Sequence, residues 1–148
     1  MTISRRNFIR NAVALGIGTI ILPPALMADR AAFQTEEFDK ALGFLFTDTP
    51  IVTSDKITLK APDIAENGKV VEIEVKTDLP NVESITILSE KNPRPLVAQF
   101  NFKGKVRGWA KTRIKMGGTG NVIVVVKADG KLYKASRQIK VTIGGCGG

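Results

Sequence analysis

Asn121-Val122-Ile123-Val124-Val125-Val126-Lys127 runs into Ala128-Asp129-Gly130, and Leu132-Tyr133-Lys134-Ala135 follows. A nearly continuous β-branched run suits a central strand, because branched side chains pack well on a pleated surface. Asp-Gly tolerates the positive backbone angles of a tight hairpin, so Leu132 to Ala135 is expected to fold back as the answering strand. Working outward, Val70 to Lys76 alternates polar and apolar residues, with Val71, Ile73 and Val75 on one face and the turn signal Asn67-Gly68 before them. Lys56 to Lys60, Val82 to Leu88, Leu96 to Phe102 and Trp109 to Lys115 read as further strands, and Gln138 to Ile143 closes the series. Gly117-Gly118-Thr119-Gly120 supplies the turn after Trp109 to Lys115. Short strands at regular spacing, with turn signals between them, predict a mainly β chain folded as an antiparallel β-sandwich. There is no βαβ alternation, Walker loop, dinucleotide fingerprint or internal repeat.

Before the strands, residues 33–46 predict a short amphipathic helix, centred on 35–46. Phe33, Phe38, Leu42 and Leu45 are spaced near 3.6, Glu36 and Glu37 fall in the first turn, and Thr35 is the expected N-cap. Residues 29–143 are therefore expected to form one domain, a size with enough bulk for a core.

Composition excludes much catalytic chemistry. The 148 residues contain no histidine and one cysteine, Cys146. Without histidine there is no Ser-His-Asp or Cys-His unit and no His-ligated metal. A single cysteine rules out an internal disulfide, a CxxC redox pair and a Cys-rich zinc site. No metal site and no cofactor of the chain's own is expected.

The N-terminus reads as an address. Ser4-Arg5-Arg6-Asn7-Phe8-Ile9-Arg10 precedes an uncharged apolar run from Ala12 to Leu26, interrupted by Pro23 and Pro24. The Arg5-Arg6 pair before a short apolar stretch has the form of a bacterial twin-arginine signal. The run of about 15 residues is short of the ~20 that span a bilayer. Residues 1–28 are expected to be cleaved after Ala28, leaving no membrane anchor, with periplasmic localisation; a retained membrane helix is the alternative. Processing would lower the formal charge from +8 to +5.

That charge is unevenly placed. Residues 29–90 hold 13 acids and 6 bases, whereas residues 91–148 hold 13 bases and one acid, Asp129. From Lys91 to Lys127 there are nine bases and no acid. The segment reads either as a solvated face paired in space with the acidic half or as a surface attracting an anionic partner or substrate. Nucleic acid is not expected, since the aromatics are not interleaved with the bases as a stacking surface needs.

The last residues are Gly144-Gly145-Cys146-Gly147-Gly148. Glycine offers no side chain to pack and the widest backbone freedom. The pentapeptide therefore reads as a flexible swinging arm whose functional group is a thiol, reaching about 15 Å if extended. A free thiol has a pKa near 8.5 and nothing adjacent lowers it, so Cys146 reads as an attachment point rather than a self-activated nucleophile. Tethering keeps a cargo from diffusing away and raises its effective concentration. The alternative is a structural or docking module whose cysteine forms intermolecular disulfides, including disulfide-linked self-association. A terminal Gly-Gly is also shared with ubiquitin-like sulfur carriers, but the export signal and the intervening cysteine oppose that reading.

Val141-Thr142-Ile143-Gly144-Gly145-Cys146-Gly147-Gly148 resembles the ending of the SoxY family of periplasmic sulfur carriers. Ala61-Pro62-Asp63-Ile64-Ala65-Glu66-Asn67-Gly68, Val82-Glu83-Ser84-Ile85, Lys91-Asn92-Pro93, Arg113-Ile114-Lys115-Met116 and Asp129-Gly130-Lys131-Leu132-Tyr133 support the resemblance. It implies an immunoglobulin-like sandwich with an N-terminal helix, and a heterodimer with SoxZ, which would be exported as a passenger. It also implies a non-enzymatic role, with thiosulfate-derived sulfur carried covalently on Cys146. A haem-containing conjugating enzyme, a metal-dependent sulfate-releasing hydrolase and, in some organisms, a sulfane dehydrogenase would act on that cargo. Haem and metal would belong to those partners.

Overall fold

The structure is a computed structural model and describes residues 30–47, 49–104 and 106–143. The expected signal (1–28) and arm (144–148) lie outside the described residues.

Among the described residues, nine strands follow the helical segments near the N-terminus. They are β1 (Ile51–Thr53), β2 (Ile57–Lys60), β3 (Ile64–Ala65), β4 (Val71–Thr77), β5 (Val82–Ser89), β6 (Leu96–Asn101), β7 (Gly108–Ile114), β8 (Gly120–Ala128) and β9 (Lys131–Val141). One sheet has the order β1-β9-β8-β5-β6, with β3 also on β9; the other has the order β2-β4-β7. The two sheets form the sandwich expected from the sequence.

The alternation of β4 explains why the sheets meet. Val71, Ile73 and Val75 are buried, and they pack with Ile85 and Ile87 of β5, Val122, Val124 and Val126 of β8, and Ile139 of β9. Removing such a side chain from water contributes about 1.5–3 kcal/mol. β8 is buried on its other face too, where Val125 joins Leu88, Leu96 and Leu132 beneath the helix. That double burial is why its sequence is a continuous apolar run rather than an alternation.

β9 differs from the expected pair of strands, 132–135 and 138–143. It is one strand of eleven residues, and Ser136, Arg137 and Gln138 pair in register with Ile123, Val122 and Asn121. Their polarity looks like a break, but none fixes a turn geometry, and the pairing with β8 runs through them without interruption. Asp129 and Gly130 have φ of +49° and +69°, the left-handed pair that a two-residue hairpin requires. The antiparallel expectation holds for the pairs β2–β4, β4–β7, β5–β6, β5–β8 and β8–β9 and needs correction at one edge. β1 and β3, unrecognised in the sequence because they are so short, both pair parallel to β9.

The helix, α1, spans Phe38–Phe46 rather than 35–46. Residues 30–34 are helical in their own right, and Thr35 lies between the two segments. Its Oγ1 accepts from the Glu37 amide at 3.3 Å, which makes a turn and not a cap. Glu37 is extended and is itself the N-cap, with no side-chain cap bond; its carboxylate takes the Lys40 ammonium at 2.6 Å. Asp39, not Glu36 or Glu37, is the acid of the first turn. Ala41 and Phe46 are buried on the sheet, with Phe38, Leu42 and Leu45 partly so, while Phe33 is 39% exposed.

The acidic and basic halves of the chain interleave in space, because β4 lies beside β7 and β5 beside β8. Among the described residues, Lys111–Glu72 (2.9 Å), Lys127–Glu83 (2.9 Å) and Arg137–Asp63 (2.7 Å) each join one half to the other.

Candidate functional site: the root of the cysteine-bearing tail

Cys146, Gly144, Gly145, Gly147 and Gly148 lie outside the described residues, as do Arg5 and Arg6. The structure shows the surface from which the cysteine-bearing segment departs. β9 ends at Val141, and its last turn of backbone is held from three sides.

β3 holds the first side. Lys140 and Val141 pair with Ile64 and Ala65; the Lys140 amide donates to the Asp63 carbonyl at 2.9 Å and the Thr142 amide to the Ala65 carbonyl at 3.1 Å. The Thr142 hydroxyl adds a bond to the Glu66 carbonyl at 2.8 Å. Thr119 holds the second side. Its hydroxyl accepts from the Val141 amide at 2.9 Å and donates to the Val141 carbonyl at 3.3 Å. Gly68 holds the third. Its amide donates to the Ile143 carbonyl at 2.7 Å, and its carbonyl accepts from the Met116 amide at 2.7 Å. Such bonds contribute about 1 kcal/mol each, so together they fix the chain as far as Ile143. Cys146 follows three residues later.

A further loop is tied to this group. Asn92 Nδ2 donates to the Lys115 carbonyl, and its Oδ1 accepts from the Gly117 amide, each at 2.8 Å. The Lys91 stem lies over Gly120, so closely that a Cβ there would come within 2.6 Å of its Cγ. Loops 66–70, 89–95 and 115–120 therefore share one end of the sandwich with the root of the tail. Lys69, Lys91, Arg94 and Lys115 project from them and are exposed. Among the described residues none of these four is in an ion pair.

The basic segment 91–127 is not one surface. Lys91, Arg94 and Lys115 belong to this end, Lys111 and Lys127 are paired on the strands, and Lys103 and Arg107 lie in the connection from β6 to β7 at the opposite end. At that far end an open depression of about 1100 Å³ is lined by Trp109, Phe102, Val106 and Arg107 among others. Trp109 is 48% exposed, and its Nε1 donates to Glu74 Oε1 at 3.1 Å. The Glu74 carboxyl is held below its ordinary value by the Lys76 ammonium and then by this indole. Glu83 is lowered likewise, by Lys127 first and by the Gly130 amide second.

Among the described residues, no group of three or more His, Cys, Asp or Glu is placed to hold a metal ion, and no helix is long and apolar enough to cross a membrane. Thr119, Thr142 and Gly68 act at the root without any signal in the sequence beyond the turns Asn67-Gly68 and Gly117 to Gly120. A pinning hydroxyl is visible only once β9 and the 115–120 loop are side by side.

Residues 43–146 match the family model of the sulfur oxidation protein SoxY. The chain is similar to the sulfur carrier protein SoxY from Chlorobium limicola f thiosulfatophilum, with 42% identity, a TM-score of 0.65 and coverage of 71% of this chain and 96% of that one. A superoxide reductase (neelaredoxin) from Ignicoccus hospitalis shares the fold alone, at 17% identity and a TM-score of 0.52 over 58% of this chain and 80% of that one. No curated protein matches the chain. With the family model covering most of the described domain and reaching Cys146, the chain belongs to the SoxY family of sulfur oxidation proteins.

Proposed function

We propose that the protein is a covalent carrier of sulfur intermediates in thiosulfate oxidation, with Cys146 as the attachment point. The observation that carries this reading is the firmly held root. A sandwich pins its last strand to Ile143 and then presents a thiol among glycines, in a chain of the sulfur-carrier family. Glycine on both sides of Cys146 leaves the sulfur unencumbered, so it suits entry into a narrow site in another protein.

The chemistry balances as two steps. The Cys146 thiolate and thiosulfate join through a new S–S bond, giving Cys–S–S–SO₃⁻ and releasing two electrons to the haem-containing conjugating enzyme. Water then cleaves the S–SO₃ bond in a sulfate-releasing hydrolase, giving sulfate, two protons and Cys–S–S⁻. A sulfane dehydrogenase, where present, would oxidise the remaining sulfane sulfur. The carrier itself supplies tethering, not acid–base groups. The twin-arginine form of residues 4–10 supports action in the periplasm, and a SoxZ partner would complete a heterodimer.

Intact-mass spectrometry of the protein from cells oxidising thiosulfate tests the reading. Adducts of thiosulfonate and sulfane mass on the wild-type chain, absent from Cys146→Ser, are expected. Thiosulfate oxidation supported by Cys146→Ser would overturn it, as would a chain found only in disulfides to other proteins.

A further inference from the structure

We propose that the loops around the root of the tail form a cationic docking collar, and that the enzymes acting on Cys146 meet it with an acidic rim around their active-site entrance. This rests on the carrier reading above and adds the chemistry of the partner surface.

Reach is the first argument. The Ile143 carbonyl is fixed by Gly68, and Cys146 is three residues on, a span of about 10 Å at most. The side chain adds about 3 Å, so any catalytic centre that takes the sulfur must come within about 13 Å of Ile143. Its surroundings are then brought against loop 66–70, which holds that carbonyl, and against loops 115–120 and 89–95, which are bonded to it in turn through the Met116 amide and the Asn92 side chain. These loops are contact surface by necessity.

Charge is the second. Lys69, Lys91, Arg94 and Lys115 are exposed there and outside the ion pairs of the described residues, which engage Lys40, Lys76, Lys111, Lys127 and Arg137 instead. The acids of these loops are Glu66 and Glu90, and the Glu90 carboxylate is occupied by the Asn121 side-chain and backbone N–H groups at 3.0 and 3.4 Å. The collar is left net positive. Order is the third. Asn92 ties one loop to the next through the Lys115 carbonyl and the Gly117 amide, so the charges are presented on braced backbone. Complementary charge at such a surface raises association rate and fixes orientation, and is screened by salt.

The test compares two double charge reversals of equal charge change in the full chain: Lys91→Glu with Arg94→Glu at the collar, and Lys131→Glu with Lys134→Glu away from it. Turnover of the carrier by the conjugating enzyme and the sulfate-releasing hydrolase is read as kcat/KM against ionic strength. The collar variant should lose about tenfold or more at low salt, with the gap closing near 0.5 M salt, about where the Debye length falls below 5 Å. The control should retain most of the wild-type value. Equal losses in both variants, or none in either, would overturn the collar. Chemical loading of Cys146 by tetrathionate separates docking from an effect on the anionic cargo. An unchanged loading rate supports docking, whereas a parallel fall would overturn it. Circular dichroism confirms that both variants fold. If Cys146→Ser still turns over, the carrier reading has failed instead, whatever the collar variants do.

Discussion

The two ends of the sandwich use the same residue types in opposite ways. At the far end, acids are spent on the fold, although Lys103, Arg107 and Lys131 stay outside the ion pairs of the described residues: Glu83 binds Lys127 and the Gly130 amide, and Asn81 binds the Asp129 carboxylate, so the β8–β9 hairpin is clasped to the start of β5. At the tail end, backbone and hydroxyl bonds do the holding, through Gly68, Thr119 and Thr142, while the lysines and the arginine project outward. Neutral pins keep the root in place without consuming its charge. Paired ions at the surface add little stability, so the protein loses little by leaving these cations free to meet another molecule.

The largest expected contrast between the ends is functional. Cys146→Ser should abolish sulfur loading, whereas Trp109→Ala, in the far-end depression, should leave it within about twofold, since a surface substitution away from the site rarely propagates. Mass spectrometry after thiosulfate exposure with the conjugating enzyme reads both. Equal losses would mean that loading depends on the far end too.

Next comes packing. A Cβ at Gly108, at the start of β7, would press on Thr77 Cγ2 and lie 2.8 Å from Val82 Cγ2, both on stiff branched side chains. Gly108→Ala should cost about 1–3 kcal/mol in urea unfolding. Gly120→Ala meets the flexible Lys91 stem, which swings aside, so its cost should stay below about 1 kcal/mol. A reversed order would show the tail end to be the more rigid of the two.

Thr119→Val removes both hydroxyl bonds to Val141 and should cost about 1–2 kcal/mol. Hydrogen exchange should quicken at the Val141 amide and not at Gly130. Between the ends, Thr86 is fully buried and its hydroxyl has no hydrogen-bond partner among the described residues. Thr86→Val should therefore stabilise the chain by about 1 kcal/mol and shift neither end.

The smallest contrast is in pH. Glu83 and Glu74 have folded pKa values lowered from 4.5. Their contribution is present above that value and is lost as pH falls through the lowered ones. Acid should loosen the far end first, with Gly130 exchange rising before that of Val141, and Glu83→Gln should flatten the dependence. Loosening at Val141 first would contradict the assignment of these ion pairs to the far end.

Much of the sandwich was legible because periodicity and turn chemistry are local. β4 shows in its alternation, β8 in its branched run, and the hairpin in Asp129-Gly130. β1 and β3 were illegible, since strands of three and two residues carry no period and exist only as additions to β9. Thr35 misled for a related reason: its hydroxyl serves a turn between two helical segments as readily as a cap. Of the candidate site, the thiol and its glycines were legible and the pinned root was not.

The sequence by itself determined the inventory: one thiol among glycines, no histidine, a charge split between halves, and strands enough for two sheets. Only the tertiary structure decided which charges remain available. Pairing β4 with β7 and β5 with β8 neutralises part of the basic half and gathers Lys69, Lys91, Arg94 and Lys115 around the root of the tail. The physical reason is that Coulomb interactions depend on distance in space, and residues far apart in the chain become neighbours only when the sheets form.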